Sequence, residues 1–348
     1  MISDATSFNR MRGRYIHYYI HGRGRGHATR TLEIAEALER AGWRLQMFAG
    51  HDAFSLIQRC RPVERVDSLR PSDGVRLAPR LLRRVLQARS EVAKHRPALI
   101  ISDGDLPSIL AARTCGVPAI AVGHAEVFGE TRRPLGTPRL PWLREKIGAR
   151  ISSVTASSHI AVGFVKTQAL NDRTVVAAPA VESIRRVEMP SVDAVCYFRD
   201  DNGKGPVSAL VEMGMTPLLF TDETDVPPGA RAVPLDRQEF LTALAKTRLV
   251  VASAGSQLIS ECVVAGIPLF ALYARRDDEQ RLNVSLLRQT GIGDGSSFEG
   301  FLLEKLQSFV AGIAQRSMDA AVLLPDARVD EVVVAQVEAL AATRRQDG

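Results

Sequence analysis

Short apolar runs alternate with longer stretches in which apolar residues return every three or four positions, and this strand-then-helix rhythm covers most of the chain. Residues 14–20 (RYIHYYI) predict a first strand. Leu32, Ala35 and Leu38 mark one face of a helix over 28–41, which Gly42 ends. Residues 44–49 predict the next strand. Leu77, Leu81, Leu82, Val85 and Leu86 line one face of a long basic helix over 75–95, stopped by Pro97. The runs 98–102 and 117–122 flank a helix over 106–115 and have the composition of strands buried on both faces. A second series follows Pro190: strand 193–198, helix 206–213, strand 217–220, strand 249–252, helix 256–265, strand 267–272 and helix 279–290. A last helical stretch over 329–343 carries Val332, Val333, Val337 and Leu340 with no strand after it.

Repeated strand–helix units predict an α/β fold with parallel sheets. The two series, parted near 180–192, predict two similar facing Rossmann-like domains, 14–185 and 191–328, with 329–348 crossing back to the first. The hydrophobic share of 45% and charged share of 24% are those of a globular protein. No apolar run reaches the ~18 residues that a membrane-spanning helix requires. The first residues lack the apolar core of a secretory signal. Cys60, Cys115, Cys196 and Cys262 are scattered without metal-binding spacing. A cytoplasmic protein with free thiols is expected.

Charge changes the picture. Residues 1–185 hold 29 Lys+Arg and 16 Asp+Glu, a net of +13, whereas residues 186–348 hold 16 and 23, a net of −7. A basic first half suits an anionic partner or surface, or is a solvated Arg-rich face. With 5% aromatic residues and no recognised motif, nucleic acid is not the expected partner.

The first strand and helix are joined by His21-Gly22-Arg23-Gly24-Arg25-Gly26-His27. Glycines there allow close backbone approach to a ligand, and the helix behind offers free N–H groups. The spacing is GxGxG rather than GxGxxG, and no acidic residue closes the second strand, which argues against a dinucleotide cofactor. The Walker lysine is missing. His27 stands at the carboxyl edge of the sheet, and imidazole suits proton abstraction near neutrality. Asp103, after strand 98–102 at the same edge, is the expected carboxylate partner, with Asp105 as second choice. Asp103-Gly104-Asp105 also has the form of a DxD metal site, but two carboxylates alone are thin support for one. Gly24, Arg25, Gly26 and His124 are assigned to the acceptor or phosphate side.

In the second series a buried strand ends in Ser253-Ala254-Gly255-Ser256 and a helix begins. Small residues at a helix N-terminus make a phosphate pocket, or an ordinary capped start. Glu261 could take two vicinal ribose hydroxyls. Asp277 and Gln280 open the next helix, as a cap or as sugar contacts.

The order of these motifs resembles the GT-B glycosyltransferases over roughly residues 14–290. The match is to the branch of the lipid-II-forming N-acetylglucosaminyl transferase (family 28) and the UDP-glycosyltransferases (family 1). The resemblance implies a GT-B fold and His27 as the base that deprotonates the acceptor, with Asp103 as its partner. It makes Ser253, Gly255 and Ser256 the diphosphate turn and Glu261 the ribose contact. Asp277 and Gln280, with Asn283 behind, become the hexose contacts. The loop Phe198-Arg199-Asp200-Asp201-Asn202-Gly203-Lys204 departs from the Gly/Ser-rich loop of the family, and Asn202 is its candidate donor contact. The implied reaction is inverting and uses no metal and no cofactor beyond the nucleotide sugar, UDP being favoured and dTDP the alternative. Rival readings are a UDP-sugar epimerase or hydrolase of the same fold, and a non-catalytic nucleotide-sugar-binding protein.

For the acceptor, residues 131–150 combine Arg132, Arg133, Arg139, Arg144, Lys146 and Arg150 with Leu140, Trp142, Leu143 and Ile147. Such a surface suits an anionic membrane, or else Trp142 and Leu143 are core. The expected acceptor is a lipid-linked or envelope glycan at the inner membrane face.

Overall fold

Seven parallel strands form the first sheet: β1 (Tyr15–Ile20), β2 (Arg44–Ala49), β3 (Glu64–Arg65), β4 (Leu99–Asp103), β5 (Ala119–Gly123), β6 (Ser158–Val162) and β7 (Thr174–Ala177). The computed structural model describes residues 14–22, 25–69, 77–199, 203–315 and 324–346. Helices α1 (Arg25–Arg40), α2 (His51–Ile57), α3 (Leu77–His95), α4 (Leu106–Thr114), α5 (Ala125–Glu130) and α6 (Arg139–Ser152) connect these strands. The second sheet has six strands: β8 (Val192–Tyr197), β9 (Pro217–Phe220), β10 (Arg231–Val233), β11 (Thr247–Ser253), β12 (Leu269–Tyr273) and β13 (Gly293–Ser297). Its helices are α7 (Lys204–Glu212), α8 (Arg237–Lys246), α9 (Ser256–Ala265), α10 (Asp278–Gln289) and α11 (Leu303–Ala311), and α12 (Val329–Gln346) closes the chain.

The strand orders are β3-β2-β1-β4-β5-β6-β7 and β10-β9-β8-β11-β12-β13. Both are doubly wound. In such sheets the order reverses beside the first strand, and ligands bind at the carboxyl ends of the strands flanking that point. In the first sheet these ends are those of β1 and β4, where Ile20 pairs in register with Asp103. In the second they are those of β8 and β11. The topology alone therefore directs the His21–His27 turn, Asp103 and the Ser253–Ser256 turn to ligand-binding edges.

The central strands are largely apolar because helices cover both faces; every residue of β4 and β5 is buried. Ile16, Tyr18, Ile20, Ile34 and Leu38 share one core with Val329, Val333 and Val337 of α12, so the last helix packs on the first domain. Arg14 and Trp43 fasten it further by bonding Glu338. The chain thus crosses between the domains twice. The crossings run side by side: Ala178 N–H donates to Ala327 O and Val329 N–H to Ala178 O, each at 2.8 Å.

The two domains also meet directly. Phe128, Trp142 and Phe164 of the first join the apolar cluster that holds Leu258, Leu282 and Leu286 of the second. Around that contact Arg144 pairs with Asp278 at 3.2 Å and Gln289 donates to Leu135 O at 3.1 Å.

Candidate active site

Helix α1 begins at the carboxyl edge of the first sheet and carries His27 in its first turn. His27 Nδ1 lies 2.8 Å from Asp103 Oδ1. The imidazole is 30% exposed and the carboxylate 1%, so the pair joins an accessible ring to a buried anion. An ionised carboxylate only accepts, so Nδ1 carries a proton, and in the neutral imidazole Nε2 keeps the lone pair. That is the arrangement of an oriented general base.

Asp103 has a second partner that the sequence reading did not single out. Arg30, one helical turn beyond His27, places Nη2 2.8 Å from Oδ1 and 2.7 Å from Oδ2, with Nε 3.2 Å from Oδ2. Burial pushes the Asp103 carboxyl upward, but Arg30 and then His27 outweigh it and hold it at about 2. The available signal was spacing, since residues three apart share a helix face.

Asp105 turns elsewhere. It caps α4 by accepting from Ser108 N–H at 3.0 Å and pairs with Arg84 at 3.3 Å. The two carboxylates of the DxD sequence therefore serve different structures. Gly22 and Gly50 pack backbone to backbone; a Cβ on Gly22 would meet Gly50 backbone atoms and the nitrogen of His51. Close crossing of the turns after β1 and β2 is thus the need that Gly22 meets. Gly24 and Asn202 lie outside the described residues, as does the side chain of Arg25, whose backbone opens α1.

Across the gap stands α9, capped by Gly255 in an extended conformation with no side-chain cap bond. A Cβ at Gly255 would meet nothing within 4 Å, so there is open space beside the start of the helix. Such a terminus suits an anion. Ser253 Oγ accepts from Arg199 N–H at 3.2 Å and ties the loop after β8 to this turn. The two halves approach closely here: a Cβ on Gly26 would stand 3.1 Å from Gln257 Cβ. The starts of α1 and α9 therefore meet at the domain contact, one residue from His27.

The remaining donor candidates are more engaged than expected. Glu261 is buried, and its Oε1 accepts from Arg237 Nη2 at 2.8 Å and Gln257 Nε2 at 3.0 Å. A ribose hydroxyl there would share or displace these donors. Arg237 also reaches Glu182 in the interdomain crossing at 3.3 Å. Asp277 caps α10 by accepting from Gln280 N–H at 3.0 Å, with the Gln280 side chain partly exposed beside it. His124 is the clearest departure from its expected acceptor-side role. It is buried, Nδ1 lies 3.0 Å from Val162 O, and Nε2 lies 2.7 Å from Asn283 Oδ1. Asn283 Nδ2 in turn donates to Ala254 O at 3.0 Å. His124 and Asn283 thus form a cross-domain tie behind the Ser253–Ser256 turn. Among the described residues no group of three or more His, Cys, Asp or Glu could hold a metal ion.

Two doubly wound domains meeting in this way define the GT-B fold, and comparison with known proteins agrees. Residues 24–182 match the sequence family Glycosyltransferase Family 4. MurG of Acinetobacter baumannii is similar over 93% of this chain and 99% of its own, with a TM-score of 0.65 and 14% identity. The glycosyltransferase VinC, solved in complex with DTDP, matches over 94% of this chain and 100% of its own, with a TM-score of 0.61 and 14% identity. The UDP-GlcNAc 2-epimerase of Methanocaldococcus jannaschii matches over 93% and 99%, with a TM-score of 0.61 and 11% identity. No curated protein sequence matches the chain. At such identities the structural likenesses establish the fold. The family match over the first domain, joined to that fold, supports a glycosyltransferase.

Proposed function

We propose that the protein transfers a hexose or N-acetylhexosamine from a UDP-sugar to an acceptor hydroxyl, with inversion and without a metal. The carrying observation is the oriented His27–Asp103 pair at the start of α1, which meets the uncapped start of α9 at Gly26 and Gln257. The diphosphate lies on α9, where the N–H groups and helix dipole take the leaving group's charge. His27 Nε2 accepts the acceptor's proton as the oxygen attacks the anomeric carbon. Attack opposite the departing phosphate inverts that centre. Closure of the domains excludes water.

His27→Ala lowers transfer by about 10²–10⁴-fold and leaves donor binding, read by thermal shift, unchanged. Undiminished turnover in that variant removes the base assignment. Donor breakdown that needs no acceptor favours the epimerase or hydrolase reading. Activity lost in EDTA and restored by Mn²⁺ refutes the metal-free step.

The acceptor side supports a lipid-linked substrate at an anionic bilayer. Trp142 is buried against Phe128, which fixes the roll of α6. Its neighbours Leu140, Leu143, Ile147 and Ile151 then fall on one exposed stripe, each more than half exposed. Arg132 and Arg139 flank it, and Lys146 is half-buried nearby. No described helix is long and apolar enough to cross a membrane. An amphipathic helix with basic flanks is suited to lie in a headgroup layer. Leu143→Glu with Ile147→Glu abolishes cosedimentation with vesicles containing phosphatidylserine at low salt, with the thermal midpoint unchanged. Equal sedimentation of variant and parent refutes the docking surface.

A further inference from the structure

Arg30 is a large cation in an expensive place. It is 6% exposed, sits at the first switch point, and spends three hydrogen bonds on one carboxylate. A guanidinium so buried is tolerated only when paired with good geometry. Burial disfavours its charge, and the adjacent Asp103, with smaller help from Tyr18 and Glu279, more than restores it. The carboxylate it holds is the one that orients His27.

The geometry makes Oδ1 of Asp103 a shared atom. It accepts from His27 Nδ1 at 2.8 Å and from Arg30 Nη2 at 2.8 Å, while Nη2 and Nδ1 stand 3.3 Å apart. Two N–H donors so close do not bond each other. The imidazole therefore has a negative oxygen and a positive guanidinium nitrogen beside the same ring nitrogen, at comparable distances. Their fields on the ring largely cancel. The backbone keeps this arrangement tight. Gly123 at the end of β5 has φ +154, and a Cβ there would come within 3.1 Å of Asp103 Oδ1 and 3.5 Å of Arg30 Nη2.

We propose that Arg30 is a positioning residue for the base: by binding both oxygens of Asp103 it fixes the carboxylate and offsets its charge, so the imidazole is oriented by an already neutralised anion. The proposal rests on the base assignment made above. A bare carboxylate would orient the ring equally well but would also stabilise its protonated form, and a base already protonated cannot accept the acceptor's proton. The guanidinium separates the two effects. The hydrogen bond to Nδ1 is kept, and much of the attraction for a second proton is removed.

The other charged and titratable groups facing the pair come from three elements. Tyr18 lies on β1, and its hydroxyl is within 3.4 Å of Thr31 Oγ1. His21 follows β1, with its ring centre 6.3 Å from that of His27. Glu279 lies on α10 of the second domain and acts on Arg30 across the domain contact. Arg30 is the group that binds both Asp103 oxygens, and this makes it the fixing group.

The test uses the full chain with Arg30→Gln and Arg30→Lys. Gln keeps a donor and removes the charge. Lys keeps the charge but lacks the planar Nε–Nη2 pair with which Arg30 grips the carboxylate through two nitrogens. Two readouts are taken: the pH profile of kcat/KM, and the ¹⁵N titration of the His27 ring in the protein without substrate. In Arg30→Gln the acid limb of the profile and the ring titration both move to higher pH by about one unit or more, a tenfold or greater change in proton concentration. In Arg30→Lys the limb stays near that of the parent while kcat falls about tenfold, because one flexible ammonium replaces the two-nitrogen fork that fixes the carboxylate. A limb and ring titration unmoved in Arg30→Gln, with only the amplitude reduced, reduces Arg30 to a structural part and overturns the proposal. If Gln at this position prevents folding, Lys decides. Full kcat in Arg30→Lys, or a limb moved upward there, overturns it equally. The ring titration needs no turnover, so it still tests Arg30 if His27 proves not to be the base. Conversely, an active His27→Ala enzyme alongside a shifted ring titration would sink only the base assignment.

Discussion

Replacing Asp103 by Asn tests the electrostatics of the site through stability, without any substrate. Asp103 is 1% exposed and its carboxyl is held at about 2, against an ordinary 3.8. A folded-state value below the unfolded one stabilises the native protein above the unfolded value. That contribution is lost as pH falls through the folded value. The shift corresponds to roughly 2 kcal/mol at pH 7, of which about half has gone by pH 3. The Asn variant also leaves Arg30 as a buried, poorly paired cation, so its total loss at pH 7 is about 3–5 kcal/mol. Urea unfolding followed by tryptophan fluorescence suits the measurement, because Trp43 and Trp142 both lie in the first domain with Asp103. The gap between parent and variant is expected to be widest at pH 7 and about 1 kcal/mol narrower at pH 3. A gap constant from pH 7 to pH 3 would mean that the Asp103 charge contributes nothing to the native state, and the argument from its depressed value would fail.

Other expectations concern the second domain and its contact with the first. Gly255→Asp adds a carboxylate where a Cβ has open space, so the fold is kept while an anion at the start of α9 is repelled. UDP then gives no thermal shift to the variant; a shift equal to that of the parent removes the diphosphate from this turn. Asn283→Ala leaves His124 Nε2 and Ala254 O without their shared partner. It costs about 1–3 kcal/mol in urea unfolding, and a loss within error would show that the tie is dispensable.

Much of the architecture is legible in the chain because the central parallel strands are largely apolar. The runs at 98–102 and 249–252 could hardly be anything else. Boundaries blur where chemistry is local. The run 117–122 reads as one strand, but Pro118 offers no N–H to the ladder and β5 starts at Ala119. Strands β6 (SHIAV) and β7 (TVVA) were not anticipated, since four or five residues with interspersed polar groups carry little periodic signal. In the sequence α6 shows only as a basic, apolar stretch; its packing on Phe128 decides that Trp142 is core while Leu143 is exposed. At the site, the edge position of His27 and Asp103 follows from strand order. The role of Arg30 depends on the direction of one side chain. Pairs such as His124 with Asn283, 159 residues apart, depend on how two domains dock, and a single sequence carries no trace of that.

The two strands of chain that pass between the domains, bonded to each other at Ala178 and Arg328, have a mechanical consequence. A single tether leaves two lobes free to swivel, whereas a doubled one resists torsion and yields mainly to bending. Movement of one lobe against the other is then confined to a swing about a fixed line, so each return stroke meets the same mating surface. Accuracy of alignment after every cycle is thereby supplied by the paired crossings, one of which reaches Glu261 through Glu182 and Arg237.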